Sequence, residues 1–397
     1  MNELHGMTTL LRNARIVLPE RTAEGASLHI QRGRITRIVH SGDSELPAVN
    51  STLDLDGLTL FPGFIDVHIH GAVGVDVMAA SADEMRRVSE FLVTQGVTGW
   101  LPTLVPAAAS EYAHAVQAIE ELMSSQEGAR VLGLHYEGPF VNEAQCGALH
   151  AEHFQTYSAP NDLEALPLPN MDGAIRMITV APEIDGGVEL VRELNKRGWI
   201  VSIGHTRATV DDLESAREAG ARHMTHFMNA MAPLHHRAPG PIGWGLSRDD
   251  VTCDLIADGV HVDPFMIRLL LRLKTPDRLS LISDAIAATG MGDGDYQIWG
   301  ETISVANRRT RNVRGSIAGS VITMLDAVRM MLLLGVAEPD VARMASTNLA
   351  RLLRIDGDHG SIEEGKRADL VALDSSGQVR LTFVGGQVAH DSVISNQ

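Results

Sequence analysis

A (β/α)8 TIM-like barrel of the α/β class, with a small β-sandwich assembled from both ends of the chain, is the fold this sequence predicts. Three observations carry it. An apolar β-type run recurs eight times in the middle of the chain, helix-like stretches fill most of the gaps, and the two ends share a β-rich texture that the middle lacks. Alternating strand and helix is the pattern of a parallel sheet wrapped by helices, and near-continuous apolar strands suit a sheet buried on both faces.

The elements follow in order. The first 60 residues hold short strands, "LLRNARIVL", "ASLHIQRGRITRIV" and "STLDLDGLTLF", broken by Gly, Pro and Asp. The eight central runs are "TLFPGFIDV", "VTGWLPTL", "RVLGLHYE", "IRMITVAPE", "WIVSIGH", "ARHMTHF", "VTCDLIAD" and "RLSLISDA". Between them lie stretches such as "SADEMRRVSEFLVTQG", "SEYAHAVQAIEELMSS" and "GVELVRELNKRG", and "AGSVITMLDAVRMMLLLG" is expected to be the last helix. The tail, "ADLVALDSSGQVRLTFVGGQVAH", returns to strand texture. The expected domains are therefore 1–60 and 349–397 for the two parts of the sandwich and 61–348 for the barrel.

Composition narrows the function. The chain has 397 residues and a net charge of −17, which argues against nucleic acid or an anionic membrane as partner, since both favour a basic face. Its two cysteines, Cys146 and Cys253, make no disulfide framework and point to a reducing cytoplasm. We expect Cys146 to be a loop residue and Cys253 a packed strand residue. The first residues show no signal-peptide core, and no apolar run approaches the roughly 20 residues of a membrane helix.

Chemistry in such barrels gathers at the C-terminal strand ends. The first run ends in His68 and His70, the third in Glu137, the fifth in His205, the sixth in His226 and the eighth in Asp284, while His261 follows the seventh. Residues two apart on a strand point the same way, so His68 and His70 can share one divalent cation, or one can bind it while the other is a hydrogen-bonded neighbour. Imidazole with carboxylate is a ligand set for zinc, iron or manganese. A divalent cation lowers the pKa of a water it holds from about 15.7 towards 7, and Asp284 beside it could take that proton. The alternative for Asp284 is a structural ligand or a helix cap. His135 is expected to support a ligand, and His223 to face the barrel wall or solvent. The loop "NAMAPLHHRAPGPIGWG" sets His235, His236 and Arg237 together. In so acidic a chain, Arg237 there suggests a bound anion such as phosphate, aided by free backbone N–H groups at Asn229 and Ala230; its alternative is an ordinary ion pair.

The ordered set "PGFIDVHIHG", "YEGPF", "GHT", "THFMNAM" with "HHRAPG", "DGVHV", "SDAIAATG", "AGSVITM" and "GSIEEGKRADLV" resembles the N-acetylglucosamine-6-phosphate deacetylases of the amidohydrolase superfamily, from about residue 10 to 390. The "THFMNAM" and "HHRAPG" pair is particular to that branch. The resemblance implies hydrolysis of an amino-sugar acetamide by one or two divalent ions, zinc first, with iron, manganese or cobalt as alternatives. It implies Glu137, His205 and His226 on the main metal, with His68 and His70 as second-metal ligands bridged by Glu137. Asp284 would be the general acid/base, at the metal. Arg237 and the Asn229–Ala230 backbone would contact phosphate, and His261 the sugar or phosphate. It also implies a homodimer in which the neighbouring subunit closes the phosphate site. One departure stands out. Where the family carries a polar residue after "EGPF", "CGALHAEH" places Leu149, with His150 one later. Leucine cannot donate to a developing oxyanion, a contribution of about 3 kcal/mol in other enzymes. Either His150 substitutes through a one-residue shift, or the metal acts alone, or the substrate differs. Open alternatives are the galacto epimer of the substrate, another amidohydrolase acting on N-acyl or cyclic amides, and a metal-stabilised binding protein. A cyclic-amide hydrolase often bridges its metals with a carbamylated lysine, and none of these strand ends carries a lysine.

Overall fold

Eight parallel strands form the barrel: Phe64–Ile69, Val97–Leu104, Gly133–Glu137, Ile175–Val180, Ile200–Ile203, His223–Met224, Thr252–Ile256 and Leu279–Ile282. The structure is a computed structural model, and it describes residues 8–40, 49–125 and 127–392. The ring closes beyond the last strand, where Ile69 bridges Ala285 in parallel and Asp284 N–H donates to His68 O at 2.9 Å. All eight expected runs are these strands. Most are buried along their whole length, as the unbroken apolar sequences demand.

The first helix shows how the outer layer attaches. Ser81 and Glu84 make a reciprocal capping box, and Ala82–Thr94 runs from it. Met85, Val88, Leu92 and Val93 recur at helical spacing and are buried against the barrel.

Both ends of the chain enter one eight-stranded sheet. Its order is Gln387–Asp391, Val379–Val384, Leu370–Leu373, Thr59–Pro62, Thr8–Val17, Thr22–Gln31 and Arg34–Val39, with Ser51–Asp54 paired beside Thr8–Val17. This β-sandwich encloses its own core of Leu11, Ile16, Leu28, Leu60, Leu370 and Phe383. We propose the domain limits at 60/61 and 348/349. Strand Thr59–Pro62 pairs with both ends, antiparallel to Leu370–Leu373 and parallel to Thr8–Val17, and leads directly into the first barrel strand.

The structure departs from the expected elements in three places. The helix expected to be last begins at Met324, not Ala318, and is followed by two short helices, Glu338–Ala342 and Asn348–Leu352. Thr323 caps it through Asp326, and before it Ser320 bridges Ala285 beyond the eighth strand, with Ser320 N–H donating to Asp284 O at 2.7 Å. The loop from Asn229 ends at Gly240, where a short helix, Gly240–Ser247, begins. A three-stranded antiparallel sheet, Gly294–Ile298, Glu301–Ala306 and Arg309–Arg311, is inserted after the eighth strand and was not expected.

Candidate metal centre

Six side chains from five strand ends converge on one point. Glu137 Oε1 lies 2.9 Å from His205 Nε2, 3.0 Å from His226 Nε2 and 3.4 Å from His68 Nε2. Its other oxygen, Oε2, lies 3.4 Å from His70 Nε2. Asp284 Oδ1 is 3.2 Å from His70 Nε2 and 3.5 Å from His68 Nε2. The ring nitrogens also face one another, His205 to His226 and His68 to His70 both at 3.2 Å. All six residues are buried.

The ends of these strands are bent to make this possible. His205, His226 and Asp284 have φ of 47°, 28° and 52°, in the left-handed region that L-residues rarely occupy. Such strain persists where surrounding structure enforces it, and it gathers at functional sites. For His226 the enforcement is visible. Its N–H donates to the buried carboxylate of Asp254, and Phe227 N–H donates to Asp254 O at 2.9 Å. Asp254 is held in turn by His223 Nε2 at 2.9 Å, whose Nδ1 lies 2.8 Å from Thr252 Oγ1. Asp66 does similar work on the opposite side. Its carboxyl accepts from Ser283 Oγ at 2.6 Å and from His68 N–H at 3.3 Å, so it braces the residues beside both His70 and Asp284. Burial lifts Asp66 to about 6 against these hydrogen bonds. His135 also supports the cluster, donating from Nδ1 to Val67 O at 3.0 Å while its ring lies edge-on to His68.

The donor set fits a divalent cation. His70 Nδ1 donates to Thr103 O at 3.1 Å and His205 Nδ1 to Gln145 O at 2.8 Å. A carbonyl can only accept, so each ring carries a proton on Nδ1 and, in its neutral form, presents a lone pair from Nε2. Lone pairs aimed at a carboxylate and at each other repel unless a cation or a proton lies between them. Carbonyl partners on the far ring nitrogen are the usual way a protein orients histidine ligands. Two overlapping triads, His68–Glu137–His226 and His68–His70–Asp284, bring ligand atoms within 4.8 Å of one another.

Protons take the cation's part in the metal-free protein. Burial alone would raise Glu137, but the charges of His68 and His205 and the bonds from His205 and His226 hold it well below the usual carboxylate range. Burial would depress His226, yet its bond to Glu137 and the charges of Glu137, Asp284 and Asp254 raise it to about 9. A divalent cation must displace that proton. Apparent metal affinity is therefore expected to climb as pH rises, about tenfold per unit, and to flatten above about 9. Chelator competition between pH 6 and 10 measures this, and a pH-independent affinity would contradict it.

Around the donors lies a cleft of about 480 Å³, a size suited to a small ligand. Asn229, Ala230 and His261 line it. His261 is held from Nδ1 by Asp258 Oδ2 at 2.7 Å. Burial would push Asp258 up, but this bond and the charge of His261 keep its carboxyl below the usual range. Asn229 N–H is not free as expected: it donates to His226 O at 2.8 Å. Arg237 does not reach the cleft within its own chain. It is exposed, and its Nη1 meets His236 Nε2 at 2.8 Å. His150 does not replace Leu149 either, because its Nδ1 faces Glu152 at 3.2 Å while Leu149 itself lines the cleft. A 3-10 turn from Glu143 to Gln145 and the turn closed by Leu149 N–H to Cys146 O fix that register. Of the two alternatives for His223 the structure shows the first: it is buried in the barrel wall and not turned to solvent. Cys146 lies in the loop and Cys253 is buried in its strand; both are free.

Sequence reasoning missed Asp66, Asp254 and Trp299, which edges His70 at a ring separation of 5.2 Å. Asp66 sits two before His68 and so shares its face, a signal that was available. A lone Asp254 in an apolar strand was another.

Known proteins resemble this chain over nearly its whole length. The amidohydrolase family model matches residues 59–389. The chain is 35% identical to the N-acetylglucosamine-6-phosphate deacetylase of Bacillus subtilis (strain 168), covering 98% of both chains. It is 36% identical to the N-acetylgalactosamine-6-phosphate deacetylase of Escherichia coli O157:H7, covering 96% of this chain and 100% of the other. Among solved structures, a mutant N-acetyl-D-glucosamine-6-phosphate deacetylase from Mycobacterium smegmatis in complex with N-acetyl-D-glucosamine-6-phosphate superposes with a TM-score of 0.87 at 31% identity, covering 97% of this chain and 100% of that one.

Proposed function

From the premise that this chain belongs to the amidohydrolase family, we propose that it hydrolyses the acetamide of N-acetylglucosamine 6-phosphate, giving glucosamine 6-phosphate and acetate. The observation that carries this is the convergence of His68, His70, Glu137, His205, His226 and Asp284 beside a cleft lined by Asn229, Ala230 and His261. A second reading, the galacto epimer, is favoured by the similarly close Escherichia coli relative.

Glu137, His205 and His226 would hold the main cation and His68 and His70 a second, with Glu137 shared between the two. Zinc suits this nitrogen–oxygen set, as do iron, manganese and cobalt. A bound divalent cation supplies Lewis-acid activation of water and of the amide carbonyl. The protein does the rest. Burial would raise Asp284, but its bond from His70 and the charges of His68 and His70 keep it ionised, so it can take a proton from the attacking water. It then gives that proton to the departing amine nitrogen. His261 and the Ala230 N–H hold the sugar phosphate, which fixes the amide over Asp284 and lowers the entropic barrier.

Arg237 completes the phosphate site from the second copy of a homodimer. Its exposed position outside its own cleft supports this, as does an exposed apolar stripe on helix Pro264–Leu273, where Phe265, Leu269 and Leu273 are 73%, 36% and 50% exposed. Arg237→Ala is expected to raise KM for the phosphorylated sugar about 10- to 100-fold, the worth of a charge-assisted contact, and to leave an unphosphorylated analogue almost unaffected. Equal effects on both would rule out phosphate anchoring.

No helix among the described residues is long and apolar enough to cross a membrane. We place the enzyme in the cytoplasm, on its free cysteines and a phosphorylated substrate. The deciding experiment measures acetate release from N-acetylglucosamine and N-acetylgalactosamine, each with and without 6-phosphate, under zinc, iron, manganese and cobalt in turn. Preference for a phosphorylated sugar supports the reading, and no release from either phosphorylated epimer sinks it.

A further inference from the structure

The inserted hairpin turns through Trp299 and Gly300 alone, with φ of 53° and 75°. A two-residue turn with both residues left-handed strongly favours Asn-Gly or Asp-Gly, because a Cβ is strained there. Tryptophan breaks that rule, and rules of this kind are broken most often at functional sites. Here the indole reaches the cleft and lies edge-on to His70, with ring planes at 85°.

The wall that Trp299 belongs to is fixed. Ile286, Ile298, Ile303 and Ala318 form a small core beneath it. Arg314 donates to Ala148 O at 2.8 Å and pairs with Glu301 at 3.4 Å, which ties the hairpin to the loop carrying Leu149. The cleft thus has two chemically different linings: Asn229, Ala230 and His261 offer polar groups, while Leu149, Trp299 and Ile317 offer apolar ones. An amide whose carbonyl sits at the donor set has two substituents. The hydroxyls and phosphate of the sugar suit the polar lining, and the acyl group is left for the apolar one.

We infer that Trp299 is a specificity-determining residue that closes the acyl end of the cleft, so that an acetyl group fits and longer acyl chains are excluded. This rests on the deacetylase reading above. The test compares kcat/KM for N-acetyl-, N-propionyl- and N-butyrylglucosamine 6-phosphate in the metal-loaded protein. Wild type is expected to prefer acetyl over butyryl by about 50-fold or more, within the range that one or two methylenes decide. Trp299→Gly, which also relieves the left-handed backbone, is expected to shrink that ratio at least tenfold, by roughly the same reasoning. Trp299→Ala opens the same wall and serves if the glycine variant has lost its thermal transition. Trp299→Phe keeps a ring in place and is expected to keep the preference for acetyl. An acetyl-to-butyryl ratio in Trp299→Gly or Trp299→Ala equal to that of wild type overturns the inference. A wild-type protein that releases no acetate at all overturns the deacetylase reading instead, so the two failures are distinguishable.

Discussion

Asp284→Asn is expected to lower kcat by about 10²- to 10⁴-fold while metal at the Glu137–His205–His226 group stays near the wild-type level. Asparagine keeps the shape of the side chain and an oxygen to accept from His70, 3.2 Å away. What it loses is the ability to take a proton and return it. The backbone around it does not depend on the carboxylate, since Asp284 N–H donates to His68 O and Asp284 O accepts from Ser320 N–H. Metal content by mass spectrometry, measured beside kcat, separates the two readings of this residue. Turnover lost in step with metal would make Asp284 a structural ligand. Turnover retained would remove it from the chemistry.

Glu137→Gln is expected to cost more. Its two oxygens face four imidazole nitrogens within 3.4 Å, and the carboxylate charge is what a shared cation would balance. Removing one member of a buried charged set leaves the others uncompensated, a loss of about 3–5 kcal/mol, or roughly 10²- to 10⁴-fold in metal affinity. Activity at ordinary metal concentrations then falls to background. The variant should still fold, since the strand is held by its ladder from Gly133 to Glu137 against Ile175 to Thr179. Glu152→Gln, an exposed change on a nearby loop, is the control. Full metal occupancy in Glu137→Gln after dialysis would contradict the bridging role.

The parts of this site that sequence made legible share a physical cause. Strands buried on both faces leave unbroken apolar runs, so a polar residue at the end of such a run stands out, as His68, Glu137 and Asp284 do. What stayed hidden depends on where the chain goes between strands. The hairpin over 294–311 reads as polar loop because its outer face meets solvent, and nothing local says that Trp299 is swung onto His70. Arg237 has the right chemistry, but its neighbours in sequence do not reveal that the loop carries it away from its own cleft. Asp66 and Asp254 stand out as polar residues in apolar strands, but what they brace does not, since each accepts a backbone N–H that a sequence pattern does not display. Whether His150 takes the place of Leu149 was left open by the sequence, and the turns before it fix the register against that.

The pairing of Thr59–Pro62 with Leu370–Leu373 sets an order of events during synthesis. A ribosome must deliver more than 300 further residues before the early strands meet their late neighbours. Until then the apolar face of Leu11, Leu28 and Leu60 lacks its cover of Leu370 and Phe383. Contacts so distant in sequence form slowly, because loop closure comes before any reward. The nascent chain therefore carries a sticky half-module ahead of the barrel through most of translation. A stop codon placed just before residue 370 should produce insoluble product even though every ligand of the metal centre has been made.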